Sequence, residues 1–173
     1  MPPPSRSASM RKILRLPEAA GAATDEAVLV EDTAGELISQ QDFLADPAVH
    51  TANGKPVAVR VAPADEIEDL APHLAGVALV AIEFPGPGDG RGFTYARLLR
   101  QRYGFKGEVR AVGAGVKQDL LFFMVRCGID AFDLVPTENL AEAHRALRRF
   151  TLAYQPAVPT NGVAEPRFTA ARS

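Results

Sequence analysis

The residues best suited to chemistry in this sequence lie in one glycine-rich stretch, residues 83–92. Asp89 and Arg91 place a carboxylate and a guanidinium among glycines that alternate along the stretch, at positions 86, 88, 90 and 92. Glycine permits backbone conformations that other residues avoid, and it lets a partner approach the backbone closely. The stretch is therefore predicted to present Asp89 and Arg91 to a partner. The alternative is that Asp89 caps the following helix and Arg91 ties the loop down.

Glu83 opens this stretch, directly after the very apolar run 77–82. It could act as an acid or a base together with Asp89. The alternative is a structural ion pair with a nearby arginine, for which the chain offers Arg91, Arg97 and Arg110. Glu83, Asp89 and Arg91 are thus the candidate catalytic residues.

A second glycine pair, Gly113 and Gly115, precedes another predicted helix. Free backbone N–H groups at the start of that helix, assisted by Lys117, could bind a small anion. The alternative is a tight turn with no ligand, since the dinucleotide fingerprint needs a third glycine where the chain has Gln118.

The wider set of candidate anion- or partner-binding residues combines the glycines of both loops with the basic and aromatic residues near them. It comprises Gly90, Gly92, Tyr95, Arg97, Arg100, Arg110, Gly113, Gly115 and Lys117. Of these, Arg97, Arg100 and Arg110 are expected to form an electrostatic docking surface. The alternative for the helical arginines is an ordinary solvated helix face.

Cysteine and histidine usage limits the cofactors. Cys127 is the only cysteine, which excludes an intrinsic iron–sulfur cluster held by four cysteines and a cysteine zinc site. It is expected at a helix C-terminus, where the macrodipole disfavours a thiolate, and is interpreted as a packing residue. The three histidines have no ligand-like spacing. No metal site is predicted, and the identity of any cofactor is left open.

The overall charge and the termini indicate the cellular setting. A formal net charge of -2 gives no global attraction to nucleic acid or to an anionic membrane. The first residues lack the apolar core of a secretory signal, and no apolar run is long enough to span a bilayer. These features predict a cytoplasmic protein with neither a nucleic-acid nor a membrane partner.

Strand and helix signals alternate along most of the chain. They predict strands at 56–61, 77–82, 108–112 and 130–135, and helices at 65–74, 94–103, 117–127 and from 137 onward. Two earlier strands, at 13–16 and 27–30, and one or two helical turns within 35–46 precede them. Since parallel neighbours need long crossovers, the predicted fold class is α/β. It is a small parallel sheet of about four βα units, open or half-barrel-like, with a short N-terminal β extension.

One domain is expected, because 173 residues that are 47% hydrophobic can build one core. Its predicted limits are residues 11–155, between a disordered N-terminal tail, 1–10, and a flexible C-terminal tail, 156–173. Loops at the carboxyl ends of parallel strands share one edge of a sheet, where ligands of α/β proteins usually bind. The two glycine loops are therefore predicted to be neighbours.

Several segments carry a family resemblance: 83–85, 89–100, 103–113 and 126–132. Together they resemble a bacterial family of uncharacterised proteins, over roughly Val57 to Gln155. Its members are commonly labelled oxidoreductases involved in sulfite reduction, because their genes tend to lie beside those of assimilatory sulfate and sulfite reductases. The resemblance implies a role in sulfate assimilation and cysteine biosynthesis, although a gene neighbourhood indicates a pathway rather than a reaction.

The chain departs from the family pattern at the second loop. Ala114 stands where members usually carry an Asp, and the order Lys117-Gln118-Asp119 replaces the usual Arg-Asp-Gln. If that Asp is a functional group of the family, this chain has lost or relocated it. The intact loop from Asp89 to Arg91 is therefore the better candidate.

Two functions follow from the residues and the resemblance. The first is an accessory protein that binds sulfite reductase, its electron donor or another sulfate-assimilation enzyme. The second is a small oxidoreductase that binds an anionic substrate or cofactor at the glycine-rich loops. The first is preferred because sulfite reduction needs a multi-electron cofactor, and the chain offers neither cysteine ligands nor a complete dinucleotide fingerprint.

Overall fold

The computed structural model describes residues 12–16, 28–32, 35–134, 142–143 and 145. Both predicted tails lie outside these ranges. So does most of the predicted last helix, of which 142, 143 and 145 are helical and Ala143 is fully buried.

The described residues form one seven-stranded sheet with the strand order β2-β1-β7-β6-β5-β4-β3. Five strands are parallel and adjacent in chain order: β3 (Ile38–Ser39), β4 (Val57–Val61), β5 (Val77–Glu83), β6 (Glu108–Val112) and β7 (Ala131–Phe132). Strand β1 (Lys12–Arg15) pairs antiparallel with both β7 and β2 (Val28–Glu31). The predicted α/β class, parallel sheet and N-terminal β extension are confirmed.

In the part of the chain that the structure describes, five short α-helices connect the strands. They are α1 (Gln40–Ala45), α2 (Pro47–Thr51), α3 (Ile67–Leu70), α4 (Arg91–Arg97) and α5 (Leu121–Arg126). Helix α3 continues into a 3₁₀ turn, Ala71–Gly76, and α4 into a π-helical turn, Leu98–Arg102. Gly104, expected to end the predicted helix at 94–103, adopts a left-handed conformation with φ +62°.

Several elements differ from the prediction, among them β7, which spans Ala131–Phe132 instead of 130–135, and α4, which begins at Arg91 instead of at 94. Strand β3 was missed, because two residues are too short to show a period of two. Helix α2, which begins at Pro47, was not predicted; Asp46 caps it by accepting a hydrogen bond from Val49 N–H. Helix α5 begins at Leu121, because residues 113–120 turn before the chain becomes helical.

The main core lies between one face of the sheet and the helices. Alternate residues of the central strands point into it, and the helices cover them with their own apolar side chains; its members include Val59, Val80, Ile82, Val109, Ala111, Phe132, Ala96, Leu99, Leu121 and Met124. Helices gather on one face of a sheet when the successive crossovers between neighbouring parallel strands have the same handedness.

The opposite face of the sheet carries a smaller apolar cluster and several charges. Its cluster consists of Ala58, Leu79, Ala81 and Val112. Because paired residues of neighbouring strands share a face, the register lines up one row of alternating arginine and alanine, namely Arg60, Ala81, Arg110, Ala131 and Arg15. Alanine leaves room beside each guanidinium for a carboxylate from the next row.

Candidate functional site

The two glycine loops meet at the carboxyl edge of the sheet. Strand β5 leads into the first loop, 84–90, and β6 leads into the second, 113–120. The N–H of Phe84 donates to the carbonyl of Val112 at 2.8 Å, and the N–H of Gly115 donates to the carbonyl of Phe84 at 2.8 Å. The predicted proximity of the loops is confirmed.

Three glycines of these loops are required by the packing of the backbone itself. A Cβ at Gly92 would lie 2.5 Å from the ring of Phe84, and one at Gly115 would lie 2.7 Å from the carbonyl oxygen of Gly86. Gly113 has a φ of +104°, and a Cβ there would lie 2.6 Å from the carbonyl oxygen of Phe84. These glycines let the two loops and α4 approach each other, which is a structural use.

The remaining glycines of the first loop have no such requirement. A Cβ at Gly86, Gly88 or Gly90 would meet nothing within 4 Å, and none of the three adopts a positive φ. Gly88 and Gly90 are exposed, as are Pro85 and Pro87 beside them. The loop therefore offers bare backbone to the surroundings at positions where the fold would accept a side chain.

Asp89 and Arg91 form an ion pair within the loop. The Nε of Arg91 donates to Oδ1 of Asp89 at 3.1 Å, its Nη2 donates to Oδ2 at 2.7 Å, and its backbone N–H donates to Oδ1 at 3.1 Å. These hydrogen bonds lower the pKa of Asp89 and raise that of Arg91. Asp89 thus supports the start of α4, while the Arg91 side chain stays 59% exposed.

Glu83 forms an ion pair with a residue that the sequence did not suggest. Its Oε2 accepts from Nε of Arg60 at 3.1 Å and lies 2.7 Å from Nη2 of the same side chain. Arg60 is one strand away, on β4. The structural interpretation of Glu83 is supported, but its partner is Arg60 and not Arg91, Arg97 or Arg110.

The expected basic surface of Arg97, Arg100 and Arg110 is wrong. The Arg100 side chain is only 3% exposed and is bound by Asp130. The Arg110 side chain is 2% exposed and pairs with Asp32 and Glu108. Of the three, Arg97 alone is exposed. Arginines this deep in ion pairs support the fold and cannot attract a partner from solvent.

The Arg100 contacts explain the π-helical turn. Nε donates to the carbonyl of Gly128, Nη1 donates to the carbonyls of Phe105 and Gly107, and Nη2 donates to both carboxylate oxygens of Asp130 at 2.6 and 2.7 Å. Asp130 also accepts from the N–H of Val109. The widened turn at 98–102 holds Arg100 on the inner side of the helix, so this segment is joined to β6 and to the start of β7.

Tyr95 is part of the scaffold of the carboxyl edge. Its hydroxyl lies 3.1 Å from the carbonyl oxygen of Pro63 and 2.9 Å from that of Asp65, so it ties α4 to the loop after β4. Burial, followed by the charge of Glu66, raises the pKa of Tyr95. The hydroxyl acts here as a neutral donor, and its proton is engaged by the backbone.

The second loop offers less to an anion than its sequence predicted. The N–H of Gly115 is taken by the carbonyl of Phe84, and Lys117 is half-buried, four residues before α5 begins. Ala114, at the position of the family's usual Asp, is exposed. The first loop remains the better candidate on structural grounds.

Sequence reasoning gave no role to five charged residues that shape this region: Arg15, Asp32, Arg60, Glu108 and Asp130. Glu108 and Arg110 are two apart on one strand and therefore share a face, a signal that was available. The others depend on which strands are neighbours. Among the described residues, no group of three or more His, Cys, Asp or Glu side chains could hold a metal ion, and no helix is long and apolar enough to cross a membrane.

Together, these features define a small α/β protein whose parallel sheet is wound in one direction and whose exposed glycine loop lies at the carboxyl edge. The chain belongs to a family of bacterial proteins of unknown function (DUF934), whose model matches residues 58–164. That range contains β4 from its second residue onward and β5 to β7, whereas β1, β2 and β3 precede it. No curated protein and no solved structure shows a significant match to the chain.

Proposed function

We propose that the chain is a non-catalytic accessory protein of assimilatory sulfite reduction, which docks onto sulfite reductase or its electron donor through the first loop, 84–90, and Arg91 at the start of α4. The pathway is inferred from the resemblance of the sequence to a bacterial family. Genes of that family tend to lie beside those of sulfite reductase. The docking role rests on one observation, the open environment of Gly86, Gly88 and Gly90.

Glycine is an unfavourable choice where the fold does not need it. It leaves the unfolded chain more freedom, so replacing it at a compatible position usually stabilises a protein by about 0.4–1 kcal/mol. Three such glycines in one exposed loop are therefore best explained by a contact outside the fold. A partner surface that lies against the loop backbone would exclude side chains at these positions.

The charges of the loop favour binding over proton transfer. A general acid or base works best with a pKa near the operating pH. Arg91 instead lowers the pKa of Asp89, which keeps the carboxylate ionised near neutrality. The same pair holds the loop in one shape before a partner arrives, and such preorganisation reduces the entropy cost of docking.

The proposal is tested with a variant in which Gly86, Gly88 and Gly90 are all replaced by alanine. We expect the variant to fold with unchanged or higher thermal stability, to lose co-purification with sulfite reductase and its electron donor, and to fail to restore growth of a deletion strain on sulfate. The control is Val49→Ala, an exposed change on α2 that should behave like the wild type.

Two results would contradict the proposal. Retained co-purification and growth in the triple variant would remove the role of the loop, and normal growth of the deletion strain without sulfur amino acids would remove the pathway. Stoichiometric binding of a flavin or a nicotinamide by the purified chain would favour the oxidoreductase instead.

A further inference from the structure

Each of the two glycine loops at the carboxyl edge contains a β-turn. The turns span residues 86–89 and 113–116, and in each of them the N–H of the fourth residue donates to the carbonyl of the first at 3.2 Å. The central residues, which form the tip of each turn, are Pro87 and Gly88 in the first loop and Ala114 and Gly115 in the second.

The second turn lies against the first loop through its two glycines. The N–H of Gly115 donates to the carbonyl of Phe84 at 2.8 Å, and a Cβ at Gly115 would lie 2.7 Å from the carbonyl oxygen of Gly86. A Cβ at Gly113 would lie 2.6 Å from the carbonyl oxygen of Phe84. Ala114 lies between these glycines, with its Cα about 3.8 Å from each of theirs. Ala114 therefore borders the first loop.

Ala114 differs from the glycines on either side, because the fold leaves room for a larger side chain at its position. It is exposed, and no residue other than glycine has a positive φ in the part of the chain that the structure describes. A single methyl group stands here, next to a first turn whose tip residues, Pro87 and Gly88, are also small and exposed. The two turns thus form one continuous surface without long side chains.

Each tip also presents a backbone donor that the protein itself does not use. Within the described ranges, the N–H groups of Gly88 and Ala114 make no hydrogen bond. Exposed N–H groups of this kind are hydrogen-bonded to water, which acceptors of a partner can replace when its surface lies close to the backbone. A long side chain at position 114 would hold such a surface away from both tips.

We propose that Ala114 is a specificity-determining residue of the docking surface, which spans both turn tips and requires a small side chain at position 114. This inference rests on the proposed function, because it adds the second turn to the surface through which the first loop meets sulfite reductase or its electron donor. A partner that touches the backbone of both tips excludes a large side chain at position 114, as it excludes side chains at Gly86, Gly88 and Gly90.

The test measures binding of the purified full chain to purified sulfite reductase and to its electron donor. We expect Ala114→Trp to weaken binding at least about tenfold, because the indole overfills a close contact. Ala114→Ser should change it by no more than about twofold. The matched control is Ala75→Trp, since Ala75 is an exposed alanine at the amino end of β5, away from both loops. All three positions are exposed to solvent in the free chain, so the melting temperatures should stay close to that of the wild type.

Amide hydrogen exchange of the wild type gives a second measurement that needs no variant. Binding of the partner should slow exchange in both segments, 86–90 and 113–116. Protection of the first segment alone, or full binding by Ala114→Trp, overturns this inference and leaves the proposed function in place. Equal weakening by Ala75→Trp also overturns it, because the loss would not depend on the turn tip. Full binding by the variant with alanine at Gly86, Gly88 and Gly90, or no binding by the wild type, overturns the proposed function and this inference together.

Discussion

Two aspartate–arginine pairs with nearly the same shortest N–O distance lie in opposite surroundings in this protein. Asp89 and Arg91 approach to 2.7 Å with side chains that are 19% and 59% exposed. Asp130 and Arg100 approach to 2.6 Å with side chains that are 12% and 3% exposed. The first pair joins residues two apart in the chain, whereas the second joins residues 30 apart.

The comparison shows that burial, more than the residue types of the ion pair, distinguishes a candidate binding site from an ion pair that stabilises the fold. The pKa values of the two aspartates move in opposite directions. Hydrogen bonds from Arg91 lower the pKa of Asp89, whereas burial raises the pKa of Asp130 to about 6 despite the charge of Arg100. A search for arginine clusters in the sequence would rank Arg91 and Arg100 alike, and only one of them can meet a partner.

The largest expected effect belongs to the buried pair. Asp130→Ala leaves the Arg100 guanidinium in the interior without its carboxylate, and removing one partner of a buried pair costs about 3–5 kcal/mol. We expect a loss of that size in the free energy of unfolding, measured by urea denaturation. Asp89→Ala is the matched control, since it removes an aspartate from an exposed pair. Equal losses in the two variants would break the comparison.

The glycines show the same contrast, here between a position packed against the backbone and a position that faces open space. Gly113→Ala forces a Cβ against the carbonyl oxygen of Phe84 at a positive φ, and we expect a loss of about 2–3 kcal/mol. Gly88→Ala meets open space and should leave stability unchanged or raise it by about 0.4–1 kcal/mol. Thermal unfolding of the two variants checks this. A destabilised Gly88→Ala would show that the fold itself needs that glycine.

The sequence was informative wherever a physical signal was local. The apolar runs of β5 and β6, each bounded by glycine, predicted two central strands, and alternation with helices predicted a parallel sheet whose two glycine loops meet. Burial of Arg100 could not be predicted in this way. It depends on the π-helical turn 98–102, whose extra residue breaks the helical period, and on a carboxylate 30 residues later.

Contacts between neighbouring strands likewise could not be predicted from local signals in the sequence. Glu83 pairs with Arg60 because β4 and β5 are neighbours in a register that places the two residues on the same face. That register was not predicted from the sequence, so Arg60 was missed and Arg110 was wrongly assigned to the surface. Phe123 shows the converse, because its neighbours Leu121, Met124 and Val125 are buried while the packing of α5 leaves the Phe123 side chain exposed.

A smaller effect is expected from pH, and it has opposite signs at the two pairs. The folded-state pKa of Asp130 is raised from 3.8 to about 6. The part of its contribution that comes from binding a proton is therefore complete below about pH 4 and is lost as the pH rises through 6. The pKa of Asp89 is lowered, so its contribution is complete above about pH 4 and is lost as the pH falls.

Stability curves of Asp130→Asn and Asp89→Asn between pH 3 and 7 test this opposition. We expect the free energy of unfolding of the wild type, relative to Asp130→Asn, to fall by about 2 kcal/mol from pH 4 to pH 7. Relative to Asp89→Asn, it should rise slightly from pH 3 to pH 5. A rise for Asp130 as well would mean that the charge of Arg100 outweighs burial and that the two pairs respond alike.

The smallest change in stability is expected at the exposed pair, Asp89 and Arg91, where an effect on binding can be measured without a loss of folding. In Asp89→Ala or Arg91→Ala, the residue left behind is solvated, so the melting temperature should stay close to that of the wild type. Co-purification with sulfite reductase should nevertheless fall sharply, because the loop loses both its internal support and one of its charges.

Arg91→Lys separates these roles, since a lysine keeps the charge but cannot donate two parallel hydrogen bonds to Asp89. If binding survives in Arg91→Lys but not in Arg91→Ala, the charge contacts the partner. If both variants lose binding, the shape of the loop is what the partner recognises, and full binding in all three variants would leave Asp89 and Arg91 as a helix cap without a docking role.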